Sequence, residues 1–304
     1  MRISNSEIQT FKRCRRKWWF QYYLMLRPNY ESEIGPASVG TRVHICLETY
    51  YDTLLKGLGE EAAQIAAYGK HNALIDYAYE TNLVQNTKKF SSEAQLTAIM
   101  LQGYFEWLAE TGADEGLEVV GAERTLSLDL PDVTILAKLD LLVRRVADNA
   151  YRFMDYKNVT ELSTPLKTAH LNEQFLMYEW LLKRVEPDSR VDGGIFTFLR
   201  RVKRTGNAKP PFYARLEVRH NDRELDSFEK RLLGELRAIL SLRLALDSDI
   251  DPLTVIFPTP TRDCHWDCPF FEICPMVDRQ DGSATRMIEL SMRQADPYER
   301  YDNE

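Results

Sequence analysis

Asp155 and Lys157 stand two residues apart in a Phe- and Tyr-bearing stretch that reads as a strand, so both side chains leave the same face. Asp140 lies on the preceding strand of an expected hairpin, where it can come alongside them. Carboxylates placed this way suit hard divalent cations such as Mg²⁺ or Mn²⁺. A cation held there can activate a water toward phosphorus, and an adjacent ammonium can orient that water and offset developing charge. The Asp-x-Lys triplet by itself is weak, because such pairs are common on exposed surfaces. Its company carries more weight. His44 falls mid-helix upstream; alone it reads as a core histidine, but an imidazole nitrogen could complete a metal shell. Gln174 and Tyr178 are four apart on the following helix and so share a face. There they could bind phosphate or orient Lys157.

A second constellation joins the two ends of the chain. Cys14 sits in FKRCRRKWWF, while Cys264, Cys268 and Cys274 crowd into CHWDCPFFEICP. Four thiolates suit a [4Fe–4S] cluster, and the prolines after Cys268 and Cys274 resemble cluster loops. An all-cysteine structural Zn²⁺ site fits the same spacing. Either would close a loop of most of the chain and restrict the unfolded state, which favours a structural role over a redox one. His265, beside Cys264, could substitute for a thiolate but reads rather as a bystander, and Cys46 is left over as a small buried hydrophobe.

The 304 residues are 44% apolar and 28% charged, an ordinary globular composition. No stretch approaches the roughly 20 apolar residues of a membrane span, and MRISNSEIQT lacks the apolar core of a secretory signal. A cytoplasmic location follows as an expectation, with clustered cysteines serving metal rather than disulfides. The net charge of −7 permits nucleic acid without requiring it. Two basic runs could follow a phosphate backbone: Lys12, Arg13, Arg15, Arg16 and Lys17 around Cys14, and Arg200, Arg201, Lys203 and Arg204. Trp18, Trp19 and Tyr22 could stack on bases or pack in a core.

These groups need positioning elements. Ser4 and Glu7 suggest a capping box at a short N-terminal helix. Apolar periodicity predicts helices over 37–57, 60–83, 91–111, 168–184 and 222–246. The helix over 168–184 is expected to bury Leu171, Phe175, Leu181 and Leu182. Strands are expected over 118–128, 133–146, 150–157, 194–202 and 212–219, with Asp148-Asn149 turning one hairpin and TGNAKPP another. The charged end, 290–304, is expected to fray. The pattern is α/β with a central mixed sheet flanked by helices.

In order, Cys14, His44, Asp140, Asp155-x-Lys157, Gln174-x3-Tyr178 and Cys264-x3-Cys268-x5-Cys274 resemble the iron–sulfur branch of the PD-(D/E)xK nuclease superfamily. That branch holds RecB-type exonuclease domains, AddB and CRISPR-associated Cas-four-type exonucleases. The resemblance implies a restriction-endonuclease-like core with a helical insertion and a C-terminal iron–sulfur segment. It divides one nuclease domain over 1–304 into a cluster-ligand segment 1–35, a helical region 36–115, a core 116–248, a cluster segment 249–285 and a tail 286–304. It makes His44, Asp140, Asp155 and the Tyr156 carbonyl metal ligands, Lys157 the catalytic lysine, and Gln174 and Tyr178 its support. Ala137 replaces the glycine common before Asp140, and Asp155 replaces a commoner Glu. The implied activity is Mg²⁺- or Mn²⁺-dependent exonuclease action on single-stranded or frayed DNA ends. By fold analogy, region 50–115 could arch over the DNA path. A non-catalytic DNA-end scaffold and the nuclease subunit of a helicase–nuclease complex are the alternatives. The chain has no G-x-x-x-x-G-K-[ST] loop, so a helicase, recombination or CRISPR partner would be a separate chain.

Overall fold

The computed structural model describes residues 1–30, 32–81, 83–248 and 250–302. In chain order the elements are β1 (Arg2–Ser4), α1 (Asn5–Arg13), α2 (Arg15–Trp18), β2 (Leu26–Pro28), α3 (Pro36–Leu55), α4 (Glu60–Glu80), α5 (Thr87–Thr111), β3 (Leu117–Asp129), β4 (Thr134–Arg145) and β5 (Ala150–Val159). Then come α6 (Ser163–Thr168), α7 (Glu173–Val185), β6 (Val191–Arg200), β7 (Tyr213–Val218), α8 (Asp222–Asp247), α9 (Cys264–Asp267), α10 (Cys274–Val277), α11 (Ser283–Ser291) and β8 (Met292–Gln294). The result is an α/β fold with a mixed central sheet flanked by helices. No helix among the described residues is long and apolar enough to cross a membrane.

The chain forms two compact units, and β3 and β4 run through both. The larger unit comprises Ser32–Leu126 and Lys138–Asn221. Here β4 and β5 pair antiparallel (Leu141 opposite Met154), β5 and β6 parallel (Asp155 opposite Phe196), and β6 and β7 antiparallel (Phe198 opposite Ala214). The β4–β5 turn is the expected one: Asn149 adopts φ 56°, a left-handed conformation that asparagine tolerates. Helices α3, α4 and α5 share one core with the sheet. Val43, Leu47, Tyr50, Ala63, Ala67, Leu101, Tyr104 and Phe105 pack with Met154, Tyr156, Ile195 and Leu199. Region 50–115, expected as an arch, thus gives its apolar stripes to this core, with α4 packed on α3 and α5. Helix α5 begins earlier than expected because the Asn86 side chain accepts from Lys89 N (3.0 Å), and it ends at Gly112 with φ 61°. On the α7 side, Phe175 stacks on Phe196 with centroids 3.5 Å apart. The helix expected from 168 instead starts at Glu173, where the Asn172 side chain caps Gln174 N at 2.9 Å. Leu171 is left in a preceding turn, 68% exposed, so it is not part of the buried stripe.

The smaller unit comprises Met1–Glu31, Ser127–Ala137 and Asp222–Glu304. Strand β1 pairs parallel with the start of β4, Ile3 opposite Ile135. Ser4 caps α1 by accepting from Glu7 N at 3.3 Å. The return half of the capping box does not form, because the Glu7 carboxylate turns inward. It is fully buried and accepts from Trp18 Nε1 (2.9 Å), Arg243 Nη2 (2.9 Å) and the Tyr298 hydroxyl. Tyr298 belongs to the tail expected to fray. Through residue 302 that expectation is corrected, 303–304 lying outside the described residues: β8 pairs with β2 (Pro28 opposite Met292), Arg2 bonds Asp296 and Asp302, and Tyr301 is buried. Glu7→Ala would strand a partly buried guanidinium, an indole N–H and a phenol together. The expected loss is about 3 kcal/mol of unfolding free energy in urea titrations, and a change below about 1 kcal/mol would refute that account of the junction.

Candidate active site

The larger unit assembles the carboxylate–lysine set from three elements. Antiparallel pairing brings β4 against β5, and the Asp140 Oδ2 accepts from Tyr156 N at 2.9 Å. From α3, His44 Nδ1 reaches within 3.3 Å of the same oxygen. Lys157 Nζ lies 2.7 Å from Asp155 Oδ2. Helix α7 supplies the next layer. Gln174 Oε1 accepts from Lys157 Nζ (3.1 Å), while its Nε2 donates to Asp155 Oδ1 (3.1 Å) and to the Tyr178 hydroxyl (2.6 Å). Tyr178 in turn donates to the Lys138 carbonyl at 2.9 Å. Gln174 and Tyr178 therefore hold the lysine and a carboxylate rather than reaching outward. Tyr156 turns its ring into the core, stacked on Tyr51 and edge-on to His44.

Burial and the neighbouring Asp155 charge push the Asp140 carboxyl well above the usual carboxylate range. Burial lowers the His44 imidazole, an effect partly offset by Asp155, and so favours the neutral ring that can donate a lone pair. Burial would also lower the Lys157 ammonium, but Asp155 and Asp140 outweigh it and raise the group, which stays charged. Two opposed buried carboxylates beside a neutral imidazole fit a hard divalent cation, whose charge would offset their repulsion. Among the described residues no three His, Cys, Asp or Glu side chains already stand as a metal-binding group.

Two further carboxylates flank the set. Glu48 follows His44 by one turn of α3, and its carboxyl is raised by burial and by Glu123. Glu123 on β3 pairs with Lys138 Nζ at 3.3 Å. The i,i+4 spacing of His44 and Glu48 was available in the sequence; for Glu123 no sequence signal exists.

Gln174→Leu tests the supporting layer, since it removes the acceptor for Lys157 and both donor contacts. Turnover at saturating metal should fall about 10- to 100-fold with the fold retained. Unchanged turnover would show that Lys157 is held by other means.

In the smaller unit Cys14, Cys264, Cys268 and Cys274 line one cavity of about 470 Å³, walled also by Phe20, Phe270, Pro258, Pro260 and Pro275. Thr261 N donates to Cys264 Sγ at 3.3 Å, and this lowers the thiol's pKa. Burial raises Cys268 and Cys274, with Lys17 opposing the shift at Cys268 and Arg16 at Cys274. Cys46 is buried in the larger unit's core, its thiol pushed up to about 12 by burial. The His265 Nδ1 lies 2.7 Å from the Arg262 carbonyl.

The basic run around Cys14 is only in part a free cationic surface: four of its five cations are ion-paired, and Arg15 lies over the Phe11 and Phe257 rings. Arg16 is buried and forked onto Asp278 (2.9 and 2.8 Å), while it also bonds the Cys274 carbonyl. Lys12 pairs with Glu235, and Arg13 and Lys17 with Asp267. Trp18 and Tyr22 are buried too, so base stacking is closed to them, whereas Trp19 is half-buried. The second run differs. Among the described residues none of Arg200, Arg201, Lys203 and Arg204 makes an ion pair; Lys203 bonds Ser92, and Arg204 stacks on Phe212 at 3.7 Å. Arg200 ends β6, directly opposite Val159, two residues beyond Lys157 on β5.

The sequence profile of the PD-(D/E)XK nuclease superfamily matches residues 2–275, and the chain belongs to that superfamily. It is accordingly a nuclease, of a kind that typically uses Mg²⁺ or Mn²⁺. No curated protein matches it in sequence.

Proposed function

We propose that the protein is a metal-dependent deoxyribonuclease that removes nucleotides from single-stranded or frayed DNA ends. The observation that carries this reading is the convergence of His44, Asp140, Asp155 and Lys157, locked by Gln174. His44, Asp140, Asp155 and the Tyr156 carbonyl would hold Mg²⁺ or Mn²⁺. When bound, the cation supplies Lewis acidity and a more acidic water. The Lys157 ammonium, on a side chain that is partly exposed, can orient that water and offset charge gathering on the phosphate oxygens. Gln174 fixes the ammonium's direction, and Tyr178 anchors Gln174 to the β4 backbone. The unpaired cations of 200–204, at the strand end next to Lys157, suit an incoming phosphodiester backbone.

Cys14, Cys264, Cys268 and Cys274 would bind a structural [4Fe–4S] cluster. Their cavity is far larger than one ion, and its aromatic and proline walls suit a polynuclear group better than Zn²⁺. Thiolates in this role fit a reducing cytoplasm. The preference for ends, and a helicase, recombination or CRISPR partner, rest on the likeness of motif order. End-labelled single- and double-stranded oligonucleotides incubated with Mn²⁺ or chelator test the reaction. Stepwise shortening from an end, abolished by chelator, is expected; internal cuts alone, or no cleavage with metal, would refute it.

A further inference from the structure

Glu123 is out of place by local rules. It lies inside β3 yet adopts φ 50°, in the left-handed region that glycine, asparagine and aspartate enter more readily than glutamate. Strain of this kind inside a strand persists where the surroundings demand it. Glycine would relax the backbone at no steric cost. What glycine lacks is the carboxylate. That carboxylate is four-fifths buried and reaches Lys138 Nζ at 3.3 Å, two residues before Asp140.

Lys138 stands at a junction. Its carbonyl accepts from Tyr178, whose hydroxyl accepts from Gln174 Nε2, and Gln174 Oε1 accepts from Lys157. The chain of contacts thus runs from Glu123 through Lys138, Tyr178 and Gln174 to the ammonium beside Asp155. The negative charge of Glu123 also acts on both Asp140 and His44.

We propose that Glu123 is a positioning residue of the metal centre: it fixes Lys138, and through the Lys138 backbone the Tyr178–Gln174–Lys157 relay, and its strained backbone is kept for that contact. This rests on the nuclease reading of the site, but its test does not depend on cleavage alone. Glu123→Gln keeps the side chain's reach and removes its charge; Glu123→Gly removes the side chain and relaxes the backbone. Mn²⁺ affinity is measured by calorimetry, unfolding temperature in chelator, and kcat at saturating Mn²⁺.

Both variants should bind Mn²⁺ about 3- to 10-fold more weakly and turn over about 10-fold more slowly. In Glu123→Gly the relaxed backbone offsets the lost Lys138 contact, so it should unfold within about 3 °C of the wild type. Glu123→Gln combined with Lys138→Met should lose no more than the worse single change, because the two act as one unit. Wild-type affinity and turnover in both variants would overturn the proposal, as would strictly additive losses in the double variant or losses matched by a fall in unfolding temperature. If the wild type binds Mn²⁺ but cleaves no nucleic acid, the nuclease reading fails while the affinity measurements still decide the role of Glu123.

Discussion

Lys157→Ala should abolish cleavage, by about 10³-fold or more at saturating Mn²⁺, while divalent-cation binding persists. The ammonium is the one cation placed against both buried carboxylates: it lies 2.7 Å from Asp155 Oδ2, and Asp140 and Asp155 both raise its pKa. Loss of a single preorganised charge donor costs about 10²–10³ in turnover, and loss of the group that orders the attacking water adds to that. Metal affinity should move the other way. Alanine removes a positive charge from beside Asp155, so a divalent cation meets less repulsion and binds as tightly or tighter. The measurement pairs single-turnover digestion of labelled DNA with Mn²⁺ calorimetry. Cleavage within 10-fold of wild type would remove Lys157 from the chemistry; lost Mn²⁺ binding would mean that the lysine supports the fold of the site instead.

The second large effect belongs to the cysteines. If all four hold one cluster, Cys14→Ser opens a covalent loop of most of the chain. Loop-closure reasoning puts that near 5 kcal/mol for a loop of this order. At about 2–4 °C per kcal/mol for a protein of this size, unfolding should come roughly 10–20 °C earlier. Anaerobically purified wild type should be brown, with iron and sulfide, and the variant pale. Stoichiometric zinc in a colourless wild type would replace the cluster by a mononuclear site. A metal-free wild type that melts with the variant would end the proposal.

Local pattern exposed much of this molecule before any coordinates. The strand carrying Asp155 and Lys157, the Asp148-Asn149 turn and helix α7 all advertise themselves by periodicity or turn chemistry, so the residues that converge on Lys157 could be named one by one. What escaped was settled by partners distant in sequence. The run at 12–17 reads as a free cationic surface until Glu235, Asp267 and Asp278 arrive from the far end of the chain to pair with four of its five cations. The tail reads as frayed because its composition is charged, yet Tyr298 and Tyr301 are buried and β8 completes a ribbon with β2. Leu171 fits a helical stripe on paper, but Asn172 caps the helix one position later and leaves it outside. Glu123 is the plainest case: backbone angle is not written in residue type, and a glutamate in a strand gives no hint of a left-handed turn.

The inward pairing of Arg16 and its neighbours changes how salt should act on this protein. A guanidinium already forked onto Asp278 holds no exchangeable phosphate and displaces no condensed counterion when DNA arrives. The ionic-strength exponent of binding should therefore fall short of the full roster of lysines and arginines, Arg16 contributing nothing to it, and an acidic enzyme can let go of its product at ordinary salt.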